Sequence, residues 1–449
     1  MKTEKLKQNV KGYVHQFEDG GLRLLRKGQK GVIHAIFSRF GLVLILLLLQ
    51  VGLLFSIFRW FGNLWPHYFG GSVVVTSAMV IYLLNSKMDN SAKITWMVVV
   101  AIAPVVGIPM FFYVKSNFGH NILRKRLLEL EDQLRGWLPQ SQEAVEQLKA
   151  LEPGAASLAK YLYGRGGGFP VYQNTAMTYF PGGEAKFEEL LRQLETAEEY
   201  IFVEYFIIDE GLMWGKILEV LARKALQGVD VRVMYDGTFV STHYNYRDHR
   251  KILVIDGRVG FTGGVNLADE YINHIQKHGR WKDAAVMLEG EAVRSLTAQF
   301  LQMWGILKEP EYEQFLTRPI PVPENAKGVA APYGDCPLDG ERVGEMVYID
   351  LLNRAREYIH IMTPYLILDG ELETALKFAA ERGVDVHLIL PGKPDKQFPY
   401  ALAKSHYSAL LDSGVKISEW SPGFVHAKVF VVDGREAVES IRVYIDTHY

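Results

Sequence analysis

EEYIFVEYFIIDEG at residues 198–211 and REYIHIMTPYLILDG at 356–370 place one pattern twice in a single chain. Each is an apolar run rich in β-branched and aromatic residues. A helical stretch follows, then a glycine turn and a second apolar run: QGVDVRVMYDG at 227–237 and RGVDVHLILPG at 382–392. Strand, amphipathic helix, turn and strand in that order form the βαβ pattern of a covered, largely parallel sheet. The two copies, 200–228 and 358–383, have nearly equal lengths, so a duplicated α/β unit is expected. The proline-rich stretch PIPVPENAKGVAAP at 319–332 falls between them as a linker.

Beyond each copy the same constellation recurs: HRKILVID at 249–256, with His249, Lys251 and Asp256, and HAKVFVVD at 426–433, with His426, Lys428 and Asp433. Both fit H-x-K-x-x-x-x-D. If the apolar run is a strand, a histidine and a lysine two apart leave it from one face, which sets an imidazole beside an ammonium. Those residue types suit phosphodiester chemistry. A phosphodiester is an anion that repels nucleophiles, so charge developing at phosphorus must meet fixed cations. Imidazole is a nucleophile near neutral pH and also a proton donor, so two of them can divide attack and protonation. No carboxylate cluster of the kind that binds magnesium or calcium is evident, and no metal is required.

Paired H-x-K-x-x-x-x-D motifs in a duplicated α/β chain resemble the phospholipase D superfamily. Within it, NYRDHRKILVIDGRVGFTGGVNLADEYIN at 245–273, SPGFVHAK at 421–428 and the apolar N-terminal region look like the bacterial cardiolipin synthases. The resemblance implies that His249 is the nucleophile and His426 the general acid and later base. Lys251 and Lys428 would clamp the phosphate, and Asp256 and Asp433 would orient the motifs. Gly263, Gly264 and Asn266 match a G-G-x-N element whose donors would face the phosphate. The implied reaction joins two phosphatidylglycerols into cardiolipin and frees glycerol; as an ester exchange it needs no cofactor. Outside the motif Glu204, a carboxylate within an apolar strand, is a candidate partner for a histidine ring.

Outward from this core the composition changes. Charged residues make up 22% of the 449 residues but are nearly absent from 41 to 114. GLVLILLLLQVGLLFSIF at 41–58 is close to the roughly 20 apolar residues that cross hydrocarbon as a helix. Shorter apolar runs at 68–84 and 94–114 follow, the last interrupted by Pro104, Gly107 and Pro109. The expected architecture is therefore transmembrane helices ahead of duplicated α/β domains related by a pseudo-two-fold. Its parts are a basic cytoplasmic segment at 1–40, two or three spans at 41–115 and a helical connector at 116–164. Two phospholipase D-like domains follow at 165–318 and 333–449 around the linker at 319–332. Such a chain would be a multi-pass cell-membrane protein with a phospholipid substrate. A net charge of −2 gives no pull toward nucleic acid, and the single cysteine, Cys336, excludes an internal disulfide.

Two departures from the repeat stand out. Copy two has room for a helix and a further strand between Gly392 and His426, whereas copy one runs from Gly237 to His249 in about a dozen residues, too few for a helical crossover. Asp433 is followed by GREAVESIRVYIDTHY, with Ser440 and Val443 where Gly263 and Asn266 predict glycine and asparagine, so the second copy reads as incomplete. The alternatives are another phospholipase D-type transferase or hydrolase, or an inactive truncated homologue. A nuclease fits less well without a basic surplus.

Overall fold

A computed structural model of the protein describes residues 48–52, 65–86, 88, 90–115, 120–236, 248–336 and 338–439. They fall into two compact units, one holding the helices before Gly119 and the other running from His120 onward.

The first unit contains the helices Trp65–Leu84, Asn90–Ile102 and Pro104–Lys115, which bury Met79, Leu83, Val100 and Phe111. Here the expectation of transmembrane spans is corrected. Among the described residues no helix is long and apolar enough to cross a membrane. The run at 94–114 is broken at Ala103 into helices of 13 and 12 residues, each well short of the roughly 20 a span needs. Trp65–Leu84 has 20 residues, but it begins WPHYFGGS, with a proline, a histidine and two glycines. The run at 41–58 lies outside the described residues apart from its helical positions 48–52. These findings leave the multi-pass membrane location without support.

The second unit is built on two sheets. Strands β1 (Thr175–Phe180), β2 (Tyr200–Tyr205), β3 (Asp230–Tyr235), β4 (Lys251–Ile255), β5 (Val259–Gly263) and β7 (Ala285–Gly290) form one in the order β1-β7-β5-β4-β2-β3. The other has the order β10-β9-β8-β12-β13, from β8 (Tyr358–Met362), β9 (Asp385–Pro391), β10 (Lys416–Trp420), β12 (Val429–Val432) and β13 (Glu436–Glu439). The α/β duplication is present, but the sheets are mostly antiparallel. Only β2–β3, β8–β9 and β9–β10 are parallel. The strand carrying each motif turns back against the first strand of its βαβ unit, β4 against β2 and β12 against β8. The two βαβ units are parallel as expected, but alternating apolar residues do not give the direction of the other strands, so the largely parallel sheets expected from the sequence are corrected.

All five residues of β4 are buried. Leu253 and Ile255 pack with Ile201 and Val203 on one face, while Ile252 and Val254 pack with Tyr200, Phe202 and Phe300 on the other. A strand covered on both faces reads as a continuous apolar run. In copy two the helix Gln397–Asp412 and β10 fill the stretch before the second motif. Copy one has no described counterpart of these elements.

Both motif aspartates lie at the far end of their strands from the histidines, roughly 23 Å away over seven residues of extended chain. Asp256 accepts from the amides of Glu198, Glu199 and Tyr200 at 2.8–3.0 Å, and Asp433 from those of Arg356, Glu357 and Tyr358 at 2.8–2.9 Å. Each sits at φ 51°, a conformation Asp tolerates better than most residues. The carboxylates thus anchor the start of β2 and β8 to the end of β4 and β12.

Candidate active site

Lys251 is the first residue of β4 and His249 precedes it by two. The Lys251 ammonium donates to the His249 carbonyl at 2.6 Å and lies 3.2 and 3.4 Å from the two ring nitrogens. Phe206 packs on the imidazole, with ring centres 4.5 Å apart. The second motif repeats this arrangement: Lys428 Nζ is 3.0 and 3.1 Å from the His426 ring nitrogens and donates to the His426 carbonyl.

A short two-stranded sheet joins the halves. β6 (Arg280–Lys282) pairs in parallel with β11 (Gly423–Val425), and the His426 amide continues the ladder to Lys282 O at 2.7 Å. That register sets Asp283, the residue after Lys282, against the His426 ring. Asp283 Oδ2 lies 2.7 Å from His426 Nδ1, while Oδ1 accepts from the Ala284 amide at 2.9 Å. With Nδ1–H donated to Asp283, Nε2 becomes the nitrogen that can exchange a proton with a ligand.

The two motifs are electrostatically coupled. Burial and then the neighbouring Lys428 push the Lys251 ammonium well below the usual lysine range. His426 is lowered to about 4, first by burial and then by Lys428, against the opposing pull of Asp283. Lys428 is lowered to about 8 by burial. Burial raises Asp283, but His426 and Lys428 outweigh it and hold the carboxylate below its usual range. The site therefore pairs a neutral imidazole with an ionised aspartate, beneath two desolvated lysines whose charged form an incoming anion would favour.

Gly263 and Gly264 lie where no side chain fits. A Cβ on Gly264 would come within 2.0 Å of Asp283 Oδ1, and Gly263 has φ 138° with Ala285 Cα 2.6 Å from a built Cβ. The Gly264 amide is bonded to Ala284 O at 3.0 Å. Asn266 accepts from the Ile207 amide at 3.1 Å and donates to Tyr271 OH at 2.6 Å. The loop thus holds Asp283 and Tyr271 in place, and Tyr271 lies edge-on to His426 at 5.4 Å. Glu204 is not a histidine partner. It is fully buried, pairs with Arg250 Nε at 3.0 Å, and burial raises its carboxyl well above the usual range. Ser440 and Val443 lie outside the described residues.

Sequence reasoning missed Asp283 and Lys186. Lys186 is wholly buried and donates to Tyr205 OH at 2.9 Å and to Val265 O at 3.1 Å, inside the G-G-x-N loop. Neither sits in a spacing pattern. The one available signal was a charged residue beside an apolar run.

Two histidine–lysine pairs, assembled from repeated α/β halves around one buried aspartate, define a phospholipase D-like phosphatidyltransferase. Residues 348–441 match the family model described as "Cardiolipin synthase, PLD-like domain". A cardiolipin synthase of Geobacillus kaustophilus is 34% identical, covering 81% of this chain and 78% of the relative. Another, from Halalkalibacterium halodurans, is 30% identical over 89% of this chain and 86% of its own length. An uncharacterized protein of Streptococcus mutans is 51% identical over 80% of this chain and 84% of its length. The chain belongs to the bacterial cardiolipin synthase family.

Proposed function

We propose that the protein transfers a phosphatidyl group from one phosphatidylglycerol to another, giving cardiolipin and glycerol through a phosphohistidine. In the first step the His249 imidazole attacks phosphorus, and the bond from phosphorus to the headgroup oxygen breaks. That oxygen takes the proton from His426, and glycerol leaves. In the second step a headgroup hydroxyl of another phosphatidylglycerol gives its proton to His426 and attacks the phosphorus. The phosphorus–nitrogen bond breaks and His249 is regenerated. Lys251 and Lys428 meet the charge on the equatorial oxygens, where fixed donors in a dry site are worth most.

The observation that carries this reading is the Asp283–His426 bond beneath two desolvated lysines, one from each motif. An imidazole lowered to about 4 is a base at rest. A bound diester anion offsets the lysine charges and moves the ring toward protonation, so the same group can give a proton and then take one back. Gly263, Gly264 and Asn266 shape the cradle around the phosphate. The test is to follow labelled phosphatidylglycerol with the purified full chain. Cardiolipin and free glycerol in equal amounts support the reading; phosphatidic acid alone makes the protein a hydrolase.

A further inference from the structure

The proposed reaction needs an alcohol at phosphorus while water is kept away, and the machinery above contains nothing that recognises one. A narrow cleft is formed by Tyr365, Pro394, Asp395, Tyr400, Tyr407 and Phe424, the last of which also neighbours His426. A chain of rings links it to the histidine: Tyr365 is 6.2 Å from Phe424, and Phe424 is 6.1 Å from His426. Tyr365 OH donates to Asp395 Oδ2 at 2.6 Å, which fixes the carboxylate plane. The other oxygen, Oδ1, is buried and has no hydrogen-bond partner among the described residues. A buried acceptor left open costs stability unless a ligand fills it. Asp395 is also near enough to the site to be felt electrostatically by Lys428 and by Tyr271.

We infer that Asp395, held by Tyr365, is the alcohol-recognition residue, accepting a hydrogen bond from one glycerol hydroxyl of the headgroup while the neighbouring hydroxyl faces His426. This rests on the transferase reading above and adds the group that selects the alcohol. The phosphatidylglycerol headgroup carries two free hydroxyls, so one can bind as the other reacts. Aromatic walls suit the carbon face of a polyol and leave little room for water. Because the first step run backwards is attack by glycerol, the same residue holds the leaving glycerol in the first half-reaction.

The test is acceptor competition in the full-length protein, with unlabelled phosphatidylglycerol as donor and labelled glycerol against labelled 1-propanol, which lacks the second hydroxyl, each read by its incorporation into lipid. The wild type should favour glycerol. In Asp395→Asn the glycerol-to-propanol ratio should fall roughly ten- to a hundred-fold, the worth of one charge-assisted hydrogen bond, and the phosphatidic acid fraction should rise. Tyr365→Phe keeps the carboxylate but frees its plane, so it should move the ratio the same way by less; it carries the test if Asp395→Asn does not fold. An unchanged ratio in a variant that still forms phosphohistidine overturns the assignment and leaves the function standing. So does a wild-type preference for ethanolamine over glycerol, which would make Asp395 an ammonium site. A wild type that forms no phosphohistidine at all overturns the function, and the subsite with it.

Discussion

In the proposed mechanism Asp283 is the residue on which proton traffic depends. It fixes the His426 tautomer and stabilises the imidazolium without entering a bonding step. Asp283→Asn should leave the fold intact and lower transfer by roughly 100-fold or more, as loss of a tautomer-fixing carboxylate does elsewhere. Near-normal turnover in that variant, measured on labelled phosphatidylglycerol, would remove the role. Glu439 supports a second prediction. It pairs with Val429 and so occupies the place of Thr262 in copy one, and burial followed by the nearby Asp283 raises its carboxyl to about 8. Unfolded chain loses that proton near 4.5, whereas folded chain keeps it to about 8. Stability from this group is therefore complete below about 4.5 and is lost as pH rises through about 8. Lys186 and Lys428, lowered to about 7 and about 8, act in the opposite sense at higher pH, so the difference between variants is the useful quantity. Urea unfolding of Glu439→Thr against the wild type should show an advantage that grows from pH 5 to pH 8; a constant difference would refute the buried acid.

At the scale of elements, the H-x-K pairs and the βαβ units were legible because they are local. Apolar periodicity gives the strands, and two-residue spacing places lysine beside histidine. Asp283 was not legible, because it meets His426 across 143 residues through the β6–β11 pairing, a three-residue ladder with no apolar pattern. The helices before Lys115 were misread for a related reason. Run length and hydropathy suggested spans, but the break at Ala103 and the polar start of Trp65–Leu84 shorten what the run can form. The pairing itself is testable. A Cβ on Gly423 would lie 2.1 Å from Arg280 O, so Gly423→Ala should push β11 off β6 and with it His426 off Asp283. Activity should fall far more than stability, by comparing turnover with thermal unfolding. The motif aspartates predict the reverse: Asp433→Ala strips three amides of their acceptor and should cost about 1–3 kcal/mol of stability.

At the scale of the whole catalytic unit, duplication is what makes the chemistry available. One copy supplies a histidine and a lysine; in the proposed mechanism the first copy supplies the attacking imidazole and the second the proton-transfer group. The carboxylate bound to His426 comes from the other half of the repeat: Asp283 of the first half meets His426 of the second. The central claim is that His249 and His426 divide their work on a single phosphorus atom. Rapid-quench turnover of phosphatidylglycerol labelled in its phosphate, followed by peptide mapping of the adduct, tests it most directly. The account predicts an acid-labile label on His249 in the wild type, and neither label nor cardiolipin in His249→Asn. Label on His426, or cardiolipin formed by His249→Asn at a near-normal rate, would contradict it.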